Sequence, residues 1–175
     1  MKRFFKKIFL EEEKSDWLFI IILILFYIVM QLTFPYFLSV VMSTSMQHES
    51  FSCEKYLKYN ITCEDIASWP YQNGINQGDV VIIIPVNPYK DIKVGDVILY
   101  RGLDGKDILH RVIKIVNESN KLYFVVMGDN NPGPIPFQKE DKMEPERIIG
   151  KAIIRIPYLG IPKVLLVKFI NYTTK

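Results

Sequence analysis

Two histidines occur among the 175 residues, so the imidazole chemistry open to this chain can be read position by position. His48 lies in a polar loop three residues after Ser45, and His110 lies inside an apolar, strand-like stretch. A serine hydroxyl is a weak nucleophile until a base takes its proton. An imidazole can do this near neutral pH, and a carboxylate can hold its tautomer. Ser45, His110 and Asp129 supply those three residue types. The stretches 107–116 and 121–127 read as a hairpin whose turn, within VNESNK, centres near Glu118 and Ser119. That register sets His110 opposite Met127 and puts Asp129 on the same face, one diagonal step away. A slip of one residue would separate them. The plainer readings are a structural strand histidine and an Asp129 that caps the GDNNP turn through its side chain. The two Cys and two His show no zinc-type spacing, so no metal centre is expected, and the chemistry calls for no cofactor.

These residues need a scaffold. DVVIIIPV (79–86), DVILYR (96–101), DILHRVIKIV (107–116), KLYFVVM (121–127) and IIGKAIIRI (148–156) are rich in Val, Ile and Tyr, as strands are. Gly78-Asp79, Gly95-Asp96, Gly102, Gly105 and Gly128-Asp129 punctuate them as turns. The pattern predicts a mostly β, antiparallel domain over residues 43–175, with a polar insert at 47–77. Residues 158–170 are apolar but interrupted by Pro162, Lys163 and Lys168. They are expected to pack on the sheet or to lie on a membrane surface.

Ahead of this domain, residues 17–42 carry no charged side chain and no His. Such a run predicts one N-terminal transmembrane helix, with Pro35 as a kink or as the start of the outer turn. A cleavable secretory signal fits less well, because its apolar region is only about 7–15 residues long. Lys2, Arg3, Lys6, Lys7 and Lys14 precede the run, whereas only Lys55 and Lys58 follow within comparable distance. Residues 1–16 are therefore expected in the cytoplasm and everything from Ser43 onward on the far side, in a single-pass plasma-membrane arrangement. That side is oxidising, so Cys53 and Cys63 are expected to pair. Three Asn-x-Ser/Thr triplets, at Asn60, Asn117 and Asn171, match the glycosylation acceptor. The net charge of +3, from 22 basic and 19 acidic residues, is too balanced for nucleic-acid binding.

In order, the anchor, "STSM", "GDVVIII", "IKVGDVILY", "HRVIKI", "GDNNP" and "IIGKAIIRIPYLG" resemble type I signal peptidases. The resemblance runs from the anchor to about Pro162. It implies a membrane-bound serine endopeptidase that cuts signal peptides from exported preproteins after small residues. Its nucleophile precedes the Met of a Ser-Met pair, here Ser45 before Met46. The bacterial branch uses a lysine base, so His110 makes this sequence similar to the archaeal and endoplasmic-reticulum branch. Ser43 resembles a residue whose hydroxyl assists the oxyanion hole, with the backbone N–H of Ser45 as partner.

Two departures stand out. Gln47-His48 replaces a Pro-containing pair after the Met, and the insert that follows is expected to be a flap over the cleft or a partner surface. Ile135 occupies the position where that branch carries a second acidic residue. Either Asp129 then takes both roles, the reading preferred from sequence, or Asp141 or Glu140 from "KEDK" swings in. The implied partners are signal peptides, the lipid bilayer and the protein-translocation channel. The rivals are a catalytically silent β module that binds exported chains and a related protease with a dedicated precursor.

Overall fold

The computed structural model describes residues 2–33 and 36–174, with side chains from residue 16 onward except at residue 31. Pro35 and the basic side chains of residues 2–14 lie outside that set. The chain divides into two compact units, residues 1–37 and 38–175.

The first unit contains one helix, α1 (Lys2–Thr33). Its apolar side chains from Trp17 to Val29 are exposed. Among the described residues, no helix is both long and apolar enough to cross a membrane. The single helix expected over residues 17–42 does not form. Helix α1 stops at Thr33, and Leu38–Val40 is a strand, β1. The helical part of the uncharged run rises only about 25 Å, against a hydrocarbon core of about 30 Å. Sheet pairing takes three residues further along the run: Leu38, Ser39 and Val40 align with Ile82, Val81 and Val80.

The second unit is built on one antiparallel sheet of six strands, as the alternating Val/Ile-rich stretches predict. After β1 come β2 (Val80–Ile84), β3 (Val97–Arg101), β4 (Asp107–Glu118), β5 (Lys121–Met127) and β6 (Ile148–Ile156). Their spatial order is β1-β2-β6-β3-β4-β5. Two short helices, α2 (Glu54–Leu57) and α3 (Cys63–Ala67), lie in the insert, and α4 (Ile161–Thr173) follows β6.

Successive side chains of β4 and β5 go to opposite faces of the sheet, and both faces are covered. On one face Ile113, Val125 and Met127 pack with Tyr56, Ile61, Ile66 and Trp69 of the insert. On the other, Val112, Phe124 and Val126 pack with Ile98, Tyr100, Ile92 and Met143. Each fully buried aliphatic or Phe side chain contributes about 1.5–3 kcal/mol. The insert is thus a layer that shares its core with β4 and β5. It is closed by a Cys53–Cys63 disulfide, with Cα atoms 5.4 Å apart. Thr62 starts α3 with a capping box: its side chain accepts from Asp65 N–H, and Asp65 accepts from Thr62 N–H.

The β4–β5 hairpin decides which side chains meet. Its two-residue turn is Ser119-Asn120, both left-handed (φ 51° and 64°), between Glu118 and Lys121. A bulge between Val112 and Lys114 then restores one residue of offset. The outcome sets Arg111, and not His110, opposite Met127. The expected register was therefore one residue out. Arg111 shares a face with Asp129, and His110 turns to the other.

Candidate active site

Ser45 and Met46 are the central residues of a tight turn that follows β1, closed by Gln47 N–H donating to Thr44 O at 3.0 Å. Met46 points inward: it is 1% exposed, and its sulfur takes the backbone N–H of Asp129. It therefore anchors the turn from behind and does not line a substrate surface. Asn130 clamps the same turn from the β5 side. Its N–H donates to Ser45 O at 2.7 Å, and its side-chain amide donates to Thr44 O at 3.1 Å. The half-buried Ser45 carries its hydroxyl 3.1 Å from that of Ser43.

His110 is 1% exposed on β4. Its Nδ1 lies 2.6 Å from Oε1 of Glu140, which is fully buried. The other Glu140 oxygen accepts the N–H of Ile135 at 2.6 Å, and the Tyr100 hydroxyl donates to Oε1. Burial, then the Glu140 hydrogen bond and charge, raise the Tyr100 pKa, so the phenol stays a donor. An ionised carboxylate only accepts, so His110 Nδ1 carries the proton and Nε2 presents a lone pair. Nε2 makes no hydrogen bond among the described residues. It faces Gly128, where an added Cβ would sit 2.9 Å from Nε2 and 2.7 Å from Ser45 O. Gly128 is the gap across which the nucleophile turn and the imidazole approach each other.

The acid beside His110 is thus Glu140, not Asp129, and Asp141 is exposed. The local chain explains why. Ile135 N–H and Glu140 Oε2 close a small loop, and Lys139 adopts a left-handed conformation (φ 52°) that turns the next side chain inward. The position occupied by Ile135 supplies a backbone donor to a carboxylate five residues further on.

Asp129 belongs to a second buried cluster on the opposite face. Arg111 holds it with two parallel bonds, Nε to Oδ1 at 2.8 Å and Nη2 to Oδ2 at 2.7 Å. Arg111 also donates to the carbonyls of Pro70 and Gly95, and its guanidinium stacks over Phe51 and Trp69. His48 Nε2 lies 3.2 Å from Asp129 Oδ2, and the Tyr56 hydroxyl donates to Oδ1 at 3.3 Å. Lys55 donates its ammonium to the Asp129 carbonyl. Burial alone would raise the Asp129 pKa, but the hydrogen bonds and charges of Arg111 and His48 outweigh it and hold the carboxyl below its usual range. Burial lowers the Lys55 pKa, with the Asp129 carboxylate opposing. This cluster ties the insert to the sheet and sets the GDNN loop that clamps Ser45. Its key residue, Arg111, was legible in principle: an arginine inside an apolar strand needs a carboxylate, and the dipeptide His110-Arg111 must send its two side chains to opposite faces.

No family model matches the chain. Over 106 residues it is 29% identical to the signal peptidase complex catalytic subunit SEC11 of Metarhizium robertsii, 26% to that of Metarhizium acridum and 28% to that of Sclerotinia sclerotiorum. Each match covers 58% of this chain and 61% of the relative, so the chain spans about three fifths of the length of the relatives it matches. The resemblance carried by the ordered motifs is borne out: the chain is similar to signal peptidase catalytic subunits.

Proposed function

From that similarity we propose that this chain is a membrane-bound serine endopeptidase that removes signal peptides from exported preproteins, cutting after small residues. The observation that carries the reading is the buried His110–Glu140 pair, with Nε2 facing Gly128 and the nucleophile turn. The hydroxyl of Ser45 attacks the carbonyl at the cleavage site while His110 Nε2 takes its proton. Glu140 fixes the tautomer and balances the imidazolium that forms. The N–H of Ser45 and the hydroxyl of Ser43 donate to the oxyanion. The imidazolium returns the proton to the leaving amine, and water then releases the acyl-enzyme through the same base. No metal or cofactor enters these steps.

The substrate segment lies extended alongside β1, the strand at one end of the sheet order, and adds to it through main-chain hydrogen bonds. The uncharged run from Trp17 anchors the chain in the membrane across which secreted proteins pass, the plasma membrane in a cell without internal secretory compartments. Its basic flank stays cytoplasmic and residues 43–175 are exported. The exposed apolar side chains of α1 support this anchoring. The relatives' names place them in a complex, and we extend that to partner subunits here, with the translocation channel nearby.

The test is cleavage of a preprotein bearing an Ala-x-Ala site by detergent-solubilised chain, comparing wild type with Ser45→Ala and His110→Ala. Cleavage by the wild type alone is expected; equal cleavage by all three would remove the assignment. One observation favours a silent binding module instead: the Ser45 hydroxyl bonds Ser43 and not His110. Absence of cleavage by the wild type, with retained preprotein binding, is the result that reading requires.

A further inference from the structure

We infer that Tyr100 is a positioning residue for the proposed reaction: acting through Glu140, its hydroxyl sets how strongly His110 holds a proton. The inference rests on the protease reading above and deepens it by naming the residue that tunes its base. The register of the sheet places Tyr100 for this role. Ile98 on β3 aligns with His110 on β4, and Tyr100 aligns with Ile108. Side chains two apart on a strand share a face, so Tyr100 lies beside His110, with ring centres 6.2 Å apart. Both side chains reach the same carboxylate oxygen: the Tyr100 hydroxyl and His110 Nδ1–H donate to Oε1 of Glu140.

The network is shut off from bulk water. Tyr100 and Glu140 are fully buried, and His110 is 1% exposed. Among the described residues, three donors therefore stand in for solvation of the Glu140 charge: the Tyr100 hydroxyl, His110 Nδ1–H and Ile135 N–H. The phenol is the one that comes from outside both the reacting pair and the loop that carries Glu140. A donor to this carboxylate favours the state with a neutral imidazole and a full negative charge over the state with one proton added. The sign is the same whether the added proton sits on Nε2 or on the carboxylate, because the two groups titrate as a pair. The Tyr100 hydroxyl thus opposes proton uptake and keeps His110 free to act as a base at lower pH.

The hydroxyl is held in place. The guanidinium of Arg147 lies over the Tyr100 ring, 5.2 Å from its centre, and donates to the carbonyls of Arg101 and Gln138. It ties the ring to β3 and to the loop that leads to Glu140. Burial, then the Glu140 hydrogen bond and charge, raise the Tyr100 pKa, with Arg147 opposing and Asp104 adding in smaller measure. The phenol therefore remains a donor wherever an imidazole titrates. Lys139 and Asp141, which flank Glu140 in the chain, are exposed. Ile98, Phe124, Val126 and Met143 pack in the same apolar cluster as the ring. A phenylalanine would fill that space equally well. The hydroxyl is the one polar atom that tyrosine adds, and it is directed at Glu140.

The experiment uses the full chain in detergent in three forms: wild type, Tyr100→Phe, and Tyr100 replaced by a tyrosine analogue fluorinated on both sides of the hydroxyl, a stronger donor. The chain has two histidines, so isotope-labelled histidine gives two imidazole signals to follow by NMR against pH, and His48→Gln assigns them. Cleavage of a preprotein is measured in parallel as kcat/KM against pH. In Tyr100→Phe the His110 titration and the acid limb of kcat/KM are expected to move up by about half to one pH unit, with KM little changed. With the analogue both are expected to move down. If urea unfolding shows that Tyr100→Phe does not fold, the analogue, which keeps the phenol, decides alone. A His110 titration that stays in place in every folded form, or moves against these signs, overturns the role of Tyr100 even where kcat falls. Failure of the wild type to cut, or an acid limb that stays in place while the titration moves, overturns instead the reading of His110 as the base, so the two failures are distinct.

Discussion

Two acidic residues near the candidate nucleophile have different partners, and different losses are expected when each is neutralised. Glu140 touches His110. Glu140→Gln keeps the shape but cannot balance an imidazolium, so kcat is expected to fall by about two to four orders of magnitude with KM little changed. Measured initial rates that stay within a factor of a few of the wild type would contradict it. Asp129 neutralises Arg111 in a fully buried pair. Asp129→Asn leaves that guanidinium uncompensated and should cost about 3–5 kcal/mol of stability, read from urea unfolding by the fluorescence of the buried Trp69. The pH dependence follows from the sign of its shift. The folded carboxyl titrates below its ordinary value, so its contribution is complete above about pH 4 and is lost as pH falls through the lower folded value. The stability gap between wild type and Asp129→Asn should therefore hold above that point and shrink below it. A gap independent of pH would contradict the assignment. From sequence, the types Ser45 and His110 were legible, but Glu140 was only one of three candidate acids, with Asp129 preferred. Glu140 reaches His110 only because Lys139 takes a left-handed conformation and Ile135 lends its N–H, and neither event has a signature in a single sequence.

Between residues and fold stand the hairpin and the insert. The extents of β4 and β5 could be read from their Val, Ile and Tyr content, yet the register could not, because two small features set it. The Ser119-Asn120 turn moves the centre of the hairpin one residue along, and the bulge at Ile113 gives part of that back. The turn changes the pairing by two residues and leaves the faces as they were, whereas the one-residue bulge exchanges the faces of every side chain beyond it, which is why Arg111 and not His110 meets Asp129. β1 was hidden for a different reason: Leu38, Ser39 and Val40 are as uncharged as the helix before them, and pairing with β2 alone distinguishes them. The insert adds a testable constraint. Its disulfide closes a segment of sequence separation 10, which on the chain-entropy argument stabilises the fold by about 2–3 kcal/mol. Reduction with dithiothreitol should lower the unfolding midpoint accordingly, and Cys53→Ser/Cys63→Ser should lose all sensitivity to reductant. A midpoint that is identical before and after reduction would contradict the constraint.

For the whole molecule, the proposal joins an anchored, exported enzyme to a substrate threaded through the same bilayer. On that proposal the contribution of the anchor is positioning and not extra chemistry. The apolar side chains of α1 are exposed from Trp17 to Val29. On that ground the intact chain should remain in the membrane pellet after alkaline carbonate extraction, and recovery in the supernatant would contradict anchoring. The covalent step proposed at Ser45 is tested most directly by quenching the enzyme in acid during turnover of a preprotein and mapping its peptides by mass spectrometry. The expected result is the signal-peptide acyl group on Ser45, absent from His110→Ala. An acyl group on another residue, or turnover with no acylated Ser45 under conditions that slow deacylation, would contradict it.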